Sequence, residues 1–316
     1  MPASQAEEVD PPSMTHGLCL AWNWEYDAGF AALLEEACGQ QGVVLLQATP
    51  GNLADIATGL SGGTLGFRVF LDRASDVDPQ FMTLVDWARH HSVRINPFEL
   101  ARRAWNKATM HLEFLTAGVH VPHTIILPSY AQQADVAPSD LEVLGTTFSI
   151  KPACGGGGEG VINCASSWPE VLSARQQYPA EAYLLQANIV PVHLYDRPAW
   201  FRILFCAGRA YPCWWNVSTH VYQPVAVEDE VAYGIAPLHR IVARISSVCG
   251  LDLFSTEIDL TASGEFIAID YVNDPLDLRL QSAAADGVPD DIVRDLARRL
   301  AALAAVAQAK ATTAQT

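Results

Sequence analysis

At 316 residues, 50% of them apolar and 17% charged, the chain is long enough for two or three lobes with a substantial core. A formal charge of −16 opposes phosphate backbones and anionic lipid, so the composition points away from nucleic acid and membrane surfaces as main partners. No apolar run reaches the roughly 20 residues of a membrane-spanning helix, and the seven cysteines occur without a C-x-x-C pair, which argues against a disulfide framework or zinc knuckle and for a cytoplasmic setting.

Residues 1–13 are acidic and proline-containing, lack the basic and apolar stretches of a secretory signal, and read as a disordered tail. From Gly17 the segments LCLAW, FAALLEEACGQQ and VVLLQA read as strand, helix, strand; GFRVFLDR adds a strand, FMTLVDWARHH a helix and VRINP a short strand. Residues 14–103 are thus expected to form a small Rossmann-like α/β domain without a phosphate loop. A helical pattern follows across residues 97–118, ending at Gly118. The extended run VHVPHTIILP, the β-rich TTFSIKPA, a run of glycines, a resumed strand at VIN and the helix WPEVLSARQQY make residues 104–185 an α+β lobe. Beyond Tyr183 the β-branched and aromatic content rises, and residues 186–310 read as a mainly antiparallel lobe. It contains the helix LHRIVARISSVCG and a closing amphipathic helix from Asp290; residues 311–316 read as a tail.

The glycine run at residues 155–160, GGGGEG, matches the dinucleotide fingerprint only literally, because Val161 and Ile162 continue as a strand where a Rossmann site opens a helix. A Walker A loop is excluded because no Lys-Ser or Lys-Thr follows Gly160. What remains is a glycine-rich turn between two strands, with Lys151-Pro152 at the end of the first. Such a turn lets backbone N–H groups approach phosphate oxygens while a lysine supplies countercharge; an ordinary flexible hairpin is the competing reading.

Asn106-Lys107 before the helix ending at Gly118, Lys151-Pro152 with its glycine turn, Gln186 to Ile189, Arg202, and the acidic and amide cluster in FIAIDYVND together resemble the ATP-grasp superfamily, over roughly residues 104–282. The resemblance implies an ATP-grasp fold of two α+β subdomains, residues 104–185 and 186–310, behind a pre-ATP-grasp domain. It implies ATP and Mg²⁺ as cofactors. Lys107 and Lys151 would place charge on the α and β phosphates, and Gly155, Gly156, Gly157 and Gly158 would close over the β and γ phosphates. Gln186 would offer side-chain or adjacent backbone groups to the adenine edge while Ile189 packs on its face. Arg202 would stabilise the transferring phosphoryl group, and Glu257, Asp270 and Asn273 would hold Mg²⁺. The sequence departs from the family in one respect: Asp270 and Asn273 are three apart, where two would place them on one strand face. Either a bulge restores that face, or Asp259, Asp274 or another neighbour takes a ligand position.

Other candidates carry less. His120 and His123 lack metal-binding partners at ligand spacing; Trp22, Trp24, Trp214 and Trp215 default to packing; Cys154 reads as a small buried filler, and Arg102-Arg103 as a solvated face. Asp277 and Arg279 are weak substrate candidates against a surface ion pair, and residues 220–234 read as a substrate-side loop. The resemblance implies an ATP-dependent ligase joining a small-molecule carboxylate to an amine through an acyl phosphate. A small-molecule kinase and a non-catalytic nucleotide-binding protein are the alternatives. A homodimer is compatible with it, although no apolar stripe demands one.

Overall fold

A computed structural model of the chain describes residues 15–138 and 140–314, with the side chains of 311–314 excepted. The tail expected at 1–13 lies outside the described residues. In the first of two units β1 (Thr15–Trp22), α1 (Ala28–Gln40), β2 (Leu45–Ala48), α2 (Leu53–Ser61), β3 (Gly66–Arg73), α3 (Met82–His91) and β4 (Val93–Ile95) alternate strand and helix. The strands pair in parallel in the order β2-β1-β3-β4. Leu18, Cys19, Leu20 and Ala21 of β1 are wholly buried, and a strand covered on both faces is apolar without alternation. At the end of β3 the buried Arg73 guanidinium donates to both carboxylate oxygens of Asp27 in the turn before α1, at 2.9 and 2.6 Å.

The second unit opens with α4 (Phe98–Ala104) and α5 (Lys107–Thr116). The single helix expected across residues 97–118 is broken at Trp105 and Asn106, because Asn106 leaves helical geometry and its side-chain oxygen accepts from the Thr109 amide at 2.9 Å as an N-cap. Gly118, at φ 71°, ends α5 with the Val119 amide bonded to the Phe114 carbonyl. Then β5 (Thr124–Leu127), β6 (Phe148–Pro152), β7 (Ile162–Ala165), α6 (Trp168–Gln177) and β8 (Tyr183–Ala187) form an antiparallel sheet ordered β5-β8-β6-β7, with Val171 and Ala174 of α6 packed on Phe148, Ile150, Tyr183 and Leu185.

The short hairpin β9 (His193–Leu194) and β10 (Arg197–Pro198) leads into β11 (Trp200–Cys206), β12 (Arg209–Asn216), β13 (Val221–Pro224), α7 (Val227–Tyr233), α8 (Pro237–Cys249), β14 (Leu253–Leu260) and β15 (Phe266–Asn273). The five long strands pair antiparallel in the order β13-β12-β11-β14-β15, and α8 packs Leu238, Val242 and Ile245 into the core they share.

The chain ends in α9 (Asp290–Ala314), which belongs to the first unit, where it packs on α1, β1 and β3. Four expectations are corrected here. The closing helix joins the parallel sheet rather than the antiparallel lobe, because its stripe of Val293, Leu296, Leu300, Ala301 and Ala304 is buried there. The first unit's initial segment ends at Pro97 rather than 103, and α9 runs on into the tail expected from 311. Residues 220–234 are not a loop but β13 followed by α7. Among the described residues no helix is long and apolar enough to cross a membrane.

Candidate active site

The turn between β6 and β7 brings the two lysines of the second unit to one place. Asn106 caps α5 so that Lys107 stands at its first position, with its amide bonded to Ala153 O at 2.7 Å and its ammonium donating to Gly155 O at 2.6 Å. Gly155, Gly156, Gly157 and Gly158 are exposed, and Gly157 and Gly158 hold φ of 61° and 77°, backbone that side chains with a Cβ rarely adopt. From the middle of β6 Lys151 donates to Gln186 Oε1 at 2.7 Å and to the Ile269 carbonyl of β15 at 3.2 Å.

The carboxyl groups stand on β14 and β15. Glu257 pairs across the strands with Asp270, while Ser255 pairs with Asn273, so two steps along β14 match three along β15. This β-bulge resolves the irregular spacing: the inserted residue returns Asp270 and Asn273 to one face, where Asn273 Nδ2 donates to Asp270 Oδ2 at 2.9 Å. A second register shift follows between Glu257 and Ile258, so Asp270 is set between two irregularities. On the other side of β14, Arg202 of β11 is the cross-strand partner of Glu257 and donates to its Oε1 at 3.0 Å. Trp200 Nε1 donates to Glu257 Oε2 at 3.0 Å, and the Arg202 guanidinium lies 4.9 Å from the Trp215 ring centroid.

The electrostatics follow from this crowding. Burial pushes the Asp270 carboxyl up, but Lys107, Lys151, the Asn273 amide and Arg202 together outweigh it and hold the group below the usual carboxylate range. Glu257 is pushed up to about 7 by burial and then by the Asp270 charge, against the opposing pull of Arg202 and Lys151. Burial lowers the Lys151 ammonium, with Asp270 and Glu257 opposing. Asp259, two residues along β14 from Glu257, has no exposed surface, neither of its carboxyl oxygens has a hydrogen-bond partner, and burial and Glu257 push it up to about 8.

Other sequence candidates fall in different places. Gln186 is buried and its side chain is committed to Lys151 and to the Tyr271 hydroxyl, which leaves that side chain no group to offer an adenine edge. Ile189 is half-buried just past β8. Arg279 belongs to the first unit, 5.9 Å from the Trp24 ring centroid. His120 lies 3.7 Å from Glu265 in an exposed pair, and among the described residues no group of three or more His, Cys, Asp and Glu side chains is disposed to hold a metal, so the expected ligand set depends on the Asn273 amide as well. Cys154 is half-buried rather than fully buried, with its thiol pushed up by burial and by Glu181, which opposes a thiolate. Trp200, Ser255, Tyr271 and His111 were not singled out by sequence; the alternation Trp200-Arg202 and Ser255-Glu257 along two strands was the available signal for the first two.

No protein-family model matches the chain, and no curated protein matches it. Solved structures do. The D-cycloserine synthetase DcsG is 19% identical with a TM-score of 0.59, covering 91% of this chain and 99% of its own. The macrocyclase MdnC of Microcystis aeruginosa, bound with precursor peptide MdnA, is 13% identical with a TM-score of 0.61, covering 90% and 98%. The ATP-grasp ligase PsnB, complexed with minimal precursor, Mg and ADP, is 13% identical with a TM-score of 0.59, covering 89% and 97%. The chain has the ATP-grasp fold. The second unit carries two antiparallel sheets, β5 to β8 and β11 to β15, in keeping with a fold of two α+β subdomains, and the first unit carries the parallel sheet.

Proposed function

We propose that the protein is an ATP-dependent ligase that joins a carboxylate to an amine through an acyl phosphate, with Mg²⁺. The observation that carries this reading is the convergence of Lys151, Arg202, Glu257, Asp270 and Asn273, with Lys107 held at the glycine turn. Two carboxylates and an amide carbonyl are hard oxygen donors that fit Mg²⁺, and the buried, partnerless oxygens of Asp259, two residues along β14 from Glu257, are further donors that a cation would satisfy. Bound there, the metal would neutralise charge on the phosphates.

Lys107 and Lys151 hold the phosphate chain by charge, and the glycine turn offers backbone N–H groups that no Cβ obstructs. The backbone after β8 and the Ile189 side chain receive the adenine. Arg202, braced between Glu257 and the Trp215 ring, presents a planar donor fork to the transferring group. A substrate carboxylate oxygen bonds to the terminal phosphorus as the bond to ADP breaks; the amine then attacks the acyl carbon, phosphate departs with its electron pair, and the amine proton is released. No protein nucleophile takes part, in keeping with the raised Cys154 thiol.

The named activities of the similar structures support ligation and leave both small molecules and peptides as acceptors. The test is ADP release with MgATP against pooled acids, amines and peptides, for the wild type and for Lys151→Ala and Asp270→Ala. Release that needs both an acid and an amine, and that falls at least about 100-fold in each variant, is the expected result. ADP release with a hydroxyl acceptor alone points to a kinase, and unchanged turnover in Asp270→Ala removes that residue from the metal site.

A further inference from the structure

We propose that Tyr271 and His111 are positioning residues that aim Lys151 at the nucleotide phosphates through the Gln186 side chain; the inference rests on the nucleotide-binding reading above. Four side chains from α5, β6, β8 and β15 form an unbroken line that is buried beyond Lys151. Lys151 Nζ donates to Gln186 Oε1 at 2.7 Å, Gln186 Nε2 donates to the Tyr271 hydroxyl at 2.9 Å, and that hydroxyl lies 2.6 Å from His111 Nδ1. Gln186, Tyr271 and His111 are 3%, 2% and 4% exposed, so water does not substitute for a missing partner.

The direction of the Gln186 bonds follows from the first. An ammonium group only donates, so Gln186 must turn its oxygen to Lys151 and its NH₂ the other way. The Tyr271 oxygen therefore accepts from Gln186 and must pass its own proton on. Thr124, the other hydroxyl in reach of Gln186 at 3.5 Å, donates to Pro122 O and keeps lone pairs of its own; we assign the Tyr271 proton to His111 Nδ1, 2.6 Å away, which makes the imidazole neutral with its proton on Nε2. Burial, and then His123, lower the His111 pKa and favour that neutral form.

The line has a mechanical consequence as well. His111 is four residues beyond Lys107 on α5, so the anchor that orients Gln186 also fixes the register of the helix that carries the second lysine. Without the Tyr271 hydroxyl, Gln186 Nε2 keeps only the 3.5 Å contact with Thr124, so Lys151 alone must hold the amide oxygen toward it and the amide is freer to rotate out of line.

The test measures the affinity of Mg–AMPPNP by calorimetry, alongside thermal unfolding. Tyr271→Phe, which removes one oxygen, weakens binding about 10-fold. Adding Gln186→Glu to Tyr271→Phe restores affinity to within about 3-fold of the wild type, since a carboxylate presents an acceptor to Lys151 either way round. His111→Leu weakens binding as Tyr271→Phe does, whereas His111→Asn, whose side-chain oxygen takes the place of Nδ1, retains it. A purely structural role predicts loss of stability without rescue by the added glutamate, and that outcome overturns the inference. Wild-type protein that fails to bind Mg–AMPPNP overturns the nucleotide reading itself, whereas undiminished binding in both Tyr271→Phe and His111→Leu overturns only the positioning line.

Discussion

His111 shows how a single buried side chain ties acidity to stability. Burial lowers its pKa in the folded protein, so below the ordinary value of 6.5 the unfolded chain binds the proton more readily than the folded one. Stability from this group is complete above 6.5 and declines as pH falls through that value toward the lowered one. Glu257 acts in the opposite sense: its carboxyl, pushed up to about 7, takes up a proton earlier when folded and gains stability on acidification. The difference between wild type and His111→Asn isolates the imidazole. In thermal unfolding series run downward from neutral pH, the variant is expected to lose the acid-side decline that His111 contributes. Identical pH profiles would show that the ring has no lowered pKa.

At the level of elements, the β6–β7 turn separates glycines needed for conformation from glycines that are merely exposed. Gly160 combines φ of 70° with a crowded surrounding, where a Cβ would stand 2.7 Å from the Tyr178 ring and 3.2 Å from Pro152. That ring is itself held by the bond from its hydroxyl to Glu159 at 2.9 Å. Gly160→Ala is expected to cost about 1–3 kcal/mol of stability, while Gly156→Ala, with open space around it and no positive φ, should stay within about 0.5 kcal/mol of the wild type. Denaturant midpoints compare the two directly. The bulge on β15 is the second elemental device: an inserted residue costs ladder regularity and in return sets Asp270 and Asn273 on the same face, opposite Glu257 and Ser255.

For the whole molecule, the first unit is assembled from segments far apart in sequence. Leu296 and Leu300 of α9 are wholly buried there, although more than 190 residues separate α9 from β4, the last strand of that unit. Leu300→Ala is expected to lower the free energy of opening of the parallel sheet by about 2–5 kcal/mol, read as faster hydrogen exchange of the β1 and β3 amides. Leu303→Ala, at a position 37% exposed, should leave that exchange nearly unchanged. Equal protection in the two variants would detach α9 from the core.

Much of this architecture was legible in the sequence because its signals are local. Apolar runs and helical spacing announced the four strands of the first unit, Gly118 marked the end of α5, and Lys107, Lys151, the glycine turn and the acidic strand stood out as residue types suited to phosphate and metal. Asn106 was quoted as part of the resemblance, but its capping of α5, which splits the helical stretch, depended on a backbone turn that periodicity does not report. Only the tertiary structure showed the bulge that sets Asp270 and Asn273 on one face, since register arises from pairing with β14 and not from β15 alone. The same holds for the Gln186 side chain, turned to Lys151 and Tyr271, and for the bond between Tyr271 and His111 across 160 residues. The unit that α9 joins was likewise a tertiary outcome. An amphipathic stripe states that a face must be buried, and the partner surface is chosen by the packed chain.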